Sequence, residues 1–212
     1  MAISYNILDL GKADYTETWE VQKELQSKRI RGQIDDQLLL VEHPPVYTLG
    51  KNAPMDDLLI KDNDDISVIQ TDRGGKITFH GPGQLVGYPI IDLNNYKRSI
   101  SWYMRELEQL IMNVLLDYNI NSQRKKGLTG IWVKDKKIAA LGVRISRWVT
   151  MHGFSLNINP DLSYYKGIVP CGITDFGVTS MAEILGKKCP EISDIKLAII
   201  DYFSSQFSGV KN

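Results

Sequence analysis

The chain predicts an α/β fold of the α+β type: one domain in which a mixed, mostly antiparallel sheet is flanked by helices. Three observations lead there. Short apolar runs recur between glycine and proline breaks, as strands joined by hairpin turns do, instead of a regular βαβ repeat. Two stretches, residues 99–118 and 192–207, space their apolar residues three or four positions apart, the pattern of helices that bury one face. No linker, internal repeat or low-complexity segment interrupts the 212 residues, and a chain of that length can bury roughly 70% of its unfolded surface. One catalytic domain spanning 1–212 is therefore expected.

Residues 3–10 read as a strand and 14–28 as a helix with Trp19, Val21 and Leu25 toward the core. The continuous apolar run 37–42 suits the buried middle of a sheet. Pro44 and Pro45 then break the chain before a strand at 46–49, and Gly50-Lys51 closes it, with Lys51 placed where it could face a ligand. Acidic and polar residues 52–65 form a surface loop. Strands at 66–70 and 76–80 lie on either side of the Arg73-Gly74-Gly75 turn, and a third occupies 85–92. The helix 99–118 takes Ser99 or Ser101 as N-cap and spaces Ile100, Tyr103, Leu107, Leu110, Ile111, Val114 and Leu115 three or four residues apart. A hairpin follows, 130–133 with 137–144 around Lys134-Asp135-Lys136, then a strand at 150–158. The last helix, 192–207, carries Ile195, Ile199, Phe203 and Phe207 at four-residue intervals.

Composition excludes several classes of function. Twenty-five basic residues balance 25 acidic ones, so nothing in the overall charge attracts nucleic acid or an anionic membrane. The N-terminus has no basic segment followed by an apolar core, and no apolar run approaches the roughly 18 residues of a membrane span, which makes a cytoplasmic protein the expectation. Two cysteines, Cys171 and Cys189, are too few for a disulfide framework. His43, His80 and His152 belong to no H-x-x-x-H or H-E-x-x-H pattern, so no metal site is expected.

Chemistry concentrates in three places. Residues 73–92 contain five glycines and two prolines among Arg73, Thr78, His80 and Gln84, so the backbone turns sharply and offers N–H groups unshielded by side chains, as a wall around an oxygen-rich ligand would. A glycine-rich hairpin serving the fold alone has the same composition. Cys171, in V-P-C-G-I, is either an inert buried thiol or a nucleophile that needs a partner to hold its thiolate. Lys137 leads the apolar strand K-I-A-A-L-G-V-R, where a lysine either snorkels out of the sheet's end or is held inside for a charge-dependent task. A lysine–cysteine pair would account for both oddities. Cys189, between basic residues and a proline, is incidental.

Arg73-Gly74-Gly75-x-x-Thr78-x-His80-Gly81-Pro82-Gly83-Gln84 with Tyr88-Pro89-Ile90, then Lys137-Ile138-Ala139-x-Leu141-Gly142-x-Arg144, His152-Gly153, Leu156-Asn157 and Pro170-Cys171-Gly172, resembles the lipoyl (octanoyl) transferase family. That family is related to the lipoate- and biotin-protein ligases, and the resemblance runs in order from about Glu42 to Glu183. It implies the ligases' catalytic fold and an acyltransferase that uses Cys171 as nucleophile and Lys137 as acid/base. The donor implied is octanoyl-acyl carrier protein, which is already a thioester, so no cofactor is required. Lipoyl domains of 2-oxoacid dehydrogenase complexes and the glycine cleavage H protein are the acceptors implied. The matching substrate-binding positions are Arg73, Gly74, Gly75, Lys76, Ile77, Thr78, Phe79 and His80, then Ala140, Leu141 and Gly142, then Gly153, Phe154 and Ser155.

On that footing Leu141 and Phe154 would line a tunnel for eight carbons, worth roughly 5 kcal/mol of burial after losses, and N–H groups of these segments could hold a developing oxyanion. A basic face of Lys51, Lys76, Arg144 and Arg147 could meet acidic partners. Two alternatives stay open at this point: an ATP-dependent lipoate or biotin ligase, since a lysine in a similar strand occurs there, and a non-catalytic module that docks a carrier protein or lipoyl domain.

Overall fold

The computed structural model describes residues 4–59, 66–169 and 177–207. Among them are β1 (Tyr5–Lys12), α1 (Tyr15–Ile30), β2 (Asp36–Glu42), β3 (Val46–Leu49), β4 (Ser67–Gln70), β5 (Ile77–His80) and β6 (Gln84–Ile90). There follow α2 (Ile100–Asp117), β7 (Gln123–Lys125), β8 (Leu128–Val133), β9 (Lys136–Ser146), β10 (Val149–Asn157), β11 (Gly177–Val178), α3 (Met181–Leu185) and α4 (Ile192–Phe207). The large sheet runs β1-β2-β6-β10-β9-β8-β7, with β11 beside β9. Only β1–β2 and β11–β9 are parallel within it, so the sheet is mixed and mostly antiparallel, as the chain predicts.

Alternation along the strands gives this sheet two different faces. One presents Leu38, Leu40, Leu85, Ile138, Leu141, Phe154 and Leu156 to α2 and α4, whose stripes Tyr103-Leu107-Leu110-Ile111-Val114 and Ile195-Ile199-Phe203-Phe207 are fully covered. Ser99 caps α2 by accepting from the Trp102 N–H. The other face presents Leu39, Val41, Val86, Tyr88, Ile90 and Met151, with α1 packed on part of it.

The inner stripe of α1 differs from the expected one. Tyr15, Thr18, Gln22 and Gln26 are buried, Trp19 and Leu25 flank them, and Val21 is exposed. The reason lies in β10. His152 adopts a φ of 59°, and its N–H is taken by Gln22 Oε1 at 3.0 Å, while the Val149 carbonyl accepts from Gln26 Nε2 at 2.9 Å. A helix laid over those backbone groups needs amides on its inner face, because a buried backbone group without a partner is costly.

The strands around Arg73–Gly75 form no hairpin with each other. Both β4 and β5 pair with β3, in the order β4-β3-β5, making a separate small sheet with its own core of Tyr47, Leu49, Ile77, Phe79, Tyr165 and Ile168. Among the described residues no helix is long and apolar enough to cross a membrane.

Candidate active site

A trough is cut into the large sheet on the side that the small sheet partly covers. On β9 and β10 the positions opposite one another on this face are Ala140 with Ser155 and Gly142 with Gly153, four small residues where Val, Ile or Leu would ordinarily stand. Two of the glycines are required by close approach. A Cβ on Gly142 would sit 2.7 Å from the Gly74 carbonyl oxygen, and one on Gly153 would sit 2.2 Å from that of Gly87. The Gly74 N–H donates to Val143 O at 3.0 Å, which ties the 73–75 loop of the small sheet onto β9 and leaves that amide unavailable to an oxyanion. Between loop and trough lies a cavity of about 410 Å³, within the size range of small-molecule sites.

The cavity collects segments far apart in the chain. Arg73 to Thr78 and His80 line it from the small sheet, and Ala140, Gly142, Gly153 and Ser155 form its floor. Leu141 and Phe154 border it but alternate to the opposite face, where they pack in the α2–α4 core. Phe79 is absent from the lining: its ring stacks on Tyr164 at 4.7 Å and packs in the small sheet's core, because a strand puts alternate side chains on opposite faces.

Buried hydrogen bonds connect this wall to the strand end that bears Lys137. The Arg73 guanidinium donates to the Thr48 carbonyl at 2.6 Å and to its hydroxyl at 2.9 Å. Thr48 Oγ1 lies 3.3 Å from His80 Nε2, and His80 Nδ1 lies 2.7 Å from Gln84 Oε1. Gln84 spends its amide hydrogens on Phe79 O and Asn157 Oδ1, so its oxygen accepts, His80 carries its proton on Nδ1, and Nε2 receives the Thr48 hydroxyl. Asn157 Nδ2 donates to Thr179 O, and the Thr179 N–H to Lys137 O. Burial holds the His80 imidazole well below its ordinary range.

Lys137 lines the same cavity and is 7% exposed. Its ammonium lies 4.8 Å from the Trp132 ring centroid, and its stem passes Gly130, where a Cβ would stand 3.1 Å from Cε. Val178 of β11 pairs with Lys137, so the described chain returns beside it. Cys171 lies outside the described residues. Cys189 is half-buried and away from this cavity, in contact with the Ile158 and Pro190 carbonyls.

Of the expected basic face, Lys76 lines the cavity, Lys51 and Arg147 are exposed in turns, and Arg144 donates to Asp72 at 2.5 Å. His152 Nε2 holds the other Asp72 oxygen at 2.8 Å. Burial alone would raise the Asp72 carboxyl, but the His152 hydrogen bond and the His152 and Arg144 charges hold it below the usual carboxylate range. Burial pushes His152 down more than Asp72 lifts it. Sequence reasoning missed the cavity residues Tyr15, Tyr88 and His152. Tyr88 and His152 stood inside the family-like segments with no role attached; Tyr15, at a helix start, carried no signal at all. Among the described residues no three His, Cys, Asp or Glu side chains converge as metal ligands.

Residues 14–204 match the family model for the lipoyl protein ligase A/B catalytic domain. An octanoyltransferase of Gloeobacter violaceus is 47% identical over 88% of this chain and 82% of its own length. One from Flavobacterium johnsoniae is 43% identical over 95% of both chains. Among solved structures, the bipartite lipoate protein ligase of Thermoplasma acidophilum superposes with a TM-score of 0.73 at 14% identity, covering 97% of this chain and 84% of the other. Biotin protein ligase of Aquifex aeolicus gives 0.61 at 16% identity over 95% and 70%. At such identities these two report the fold, and they bear out the expected ligase-like catalytic architecture.

Proposed function

The chain belongs to the octanoyltransferases of the lipoyl protein ligase A/B catalytic family, and from that premise we propose that Cys171 and Lys137 carry an octanoyl group from octanoyl-acyl carrier protein to a lysine amine of a lipoyl domain. Lipoyl domains of 2-oxoacid dehydrogenase complexes and the glycine cleavage H protein are the acceptors of this reading. The observation that carries it is the placement of Lys137. A lysine that is 7% exposed stands at an apolar trough and beside β11, which begins a few residues after Cys171.

In the resting enzyme the Lys137 ammonium stabilises the Cys171 thiolate. The sulfur attacks the thioester carbonyl, a new C–S bond forms as the bond to the carrier's sulfur breaks, and Lys137 gives its proton to the departing thiolate. The acceptor amine then attacks the acyl-enzyme carbonyl and loses a proton to the neutral Lys137 amine. Cys171 leaves as thiolate, the amide is made, and both side chains are back in their starting state. Alanines and glycines in the trough leave room for the acyl chain, and its burial against them favours binding by about 0.8 kcal/mol per methylene before losses.

Intact-mass measurement after mixing with octanoyl-acyl carrier protein tests the reading. The wild type gains one octanoyl group, released by hydroxylamine, and Cys171→Ser gains none that hydroxylamine releases. Lys137→Ala slows acylation by about 100-fold or more, the usual size of an acid/base contribution. Full transfer by Cys171→Ala, or modification of a lipoyl domain from free octanoate only when ATP is added, would overturn it.

A further inference from the structure

Where the cavity reaches α1 it changes from apolar to polar. Tyr15 and His152 both line it there, each at least nine-tenths buried, and the Tyr15 hydroxyl and His152 Nδ1 have no hydrogen-bond partner among the described residues. Trp19 stands between them, its ring centroid 6.5 Å from that of Tyr15 and 6.0 Å from that of His152. The two atoms are of opposite character. His152 donates from Nε2 to the ionised Asp72, which leaves Nδ1 of the neutral ring as a bare acceptor. The Tyr15 hydroxyl is a donor, and burial pushes its pKa up to about 12, so it keeps its proton.

Lys137 enters the cavity from β9, whereas Tyr88, whose ring adjoins His152, enters from β6 with β10 between. His152 pairs with Val143, six residues along β9 from Lys137, so at ~3.3 Å per residue the two backbone positions are roughly 20 Å apart. The lysine stem, which passes Gly130, and the imidazole fill part of that span and leave the reach of a medium-length acyl chain. A saturated chain brings a methyl group to that end, which satisfies neither atom. A longer one must press further carbon against them.

We propose that Tyr15 and His152 form a neutral, hydrogen-bonding end to the acyl cavity, which admits medium-chain acyl groups bearing a hydroxyl at the far end and disfavours longer saturated ones. A hydroxyl can accept from Tyr15 or donate to His152 Nδ1, and a methyl group can do neither. This rests on the octanoyl-transfer reading for the direction in which the chain lies.

The test compares octanoyl-, 8-hydroxyoctanoyl- and dodecanoyl-acyl carrier protein as donors for the wild type and for Tyr15→Phe, which keeps the ring and removes the donor. For the wild type, 8-hydroxyoctanoyl is transferred within about threefold of octanoyl and dodecanoyl at least tenfold more slowly. In Tyr15→Phe the hydroxyoctanoyl-to-octanoyl ratio of kcat/KM falls by about tenfold or more, the scale on which a site built to bond a hydroxyl discriminates. The dodecanoyl-to-octanoyl ratio rises. Equal ratios in the two proteins would overturn the proposal. A parallel measurement, calorimetric binding of free octanoic and 8-hydroxyoctanoic acid, reads the polar end without any chemistry. If the wild type binds both and Tyr15→Phe selectively loses the hydroxy acid, the polar end stands even where no octanoyl group is transferred, and that second failure would fall on the transfer reading alone. Exclusion of the hydroxy acid from the wild type would overturn the polar end itself.

Discussion

Each of the three histidines is neutral because it is buried, and the cost appears in acid. His43 donates from Nδ1 to the Ala13 carbonyl at 2.8 Å and accepts from the Tyr88 hydroxyl at Nε2, also at 2.8 Å, so both nitrogens are used without a charge. Burial brings its pKa down to about 4, and His80, 5.9 Å away ring to ring, is pushed in the same direction first by burial and then by His43 itself. An unfolded chain protonates these rings near pH 6.5. Between that value and about 4 the unfolded state binds more protons than the folded one. Stability is therefore fully present above about pH 6.5 and is lost as pH falls. For His43 the displacement from 6.5 to about 4 corresponds to on the order of 3 kcal/mol at the acid limit. Urea unfolding at pH 7, 5.5 and 4.5 should show the midpoint dropping at each step, with the folded baseline intact at pH 7. A midpoint level across that range would mean the imidazoles charge freely inside the fold.

The strand pair β9–β10 makes the site by what it leaves out. Ala140, Gly142, Gly153 and Ser155 remove side-chain volume from one face, while Leu141, Phe154 and Leu156 fill the other. Gly142→Ala places a methyl 2.7 Å from Gly74 O, and the loop that would have to move is bonded to β9 through the Gly74 N–H. The substitution should cost about 1–3 kcal/mol, the range for overpacking, and should lower octanoyl transfer more than that loss explains. Chemical denaturation beside kcat/KM checks both parts, and an unchanged KM for the donor would separate the loop's position from substrate binding. Strands and helices of this kind were legible in the sequence where one residue type sets the period, as in α4 with Ile195, Ile199, Phe203 and Phe207. The buried face of α1 was not, because its Gln22 and Gln26 answer to backbone groups of β10 more than a hundred residues away. Pairing in the small sheet was hidden too. Chain proximity suggests that β4 and β5 meet across Arg73–Gly75, yet both join β3, which precedes them.

At the scale of the molecule, the site is the seam between a large sheet with a helical core behind it and a small sheet with an aromatic one. The motif residues of each side could be read from the chain, but which of them face the seam depends on the tertiary arrangement. Phe79 shows this: it lies within the Arg73–His80 segment and turns away, stacking on Tyr164 and packing with Tyr47 and Tyr165. Its neighbours Thr78 and His80 consequently face the cavity. Phe79 therefore acts on the site by holding the small sheet's shape, whereas Ile199, on α4 behind the large sheet, acts on stability alone. Both are fully buried, and truncating either to alanine should cost on the order of 2–5 kcal/mol. Their kinetic consequences should part. Measured well below its melting temperature, Ile199→Ala should transfer octanoyl with a KM for the donor within about twofold of the wild type, because the helical core leaves the seam in place. Phe79→Ala should raise that KM by about tenfold or more, since the wall bearing Arg73, Thr78 and His80 loses the ring that sets its distance from β9. Equal KM values for the two variants at matched folded fraction would show that the small sheet keeps its place without its aromatic core, and the wall would then owe its position to the Gly74–Val143 hydrogen bond and the Arg73–Thr48–His80–Gln84 chain.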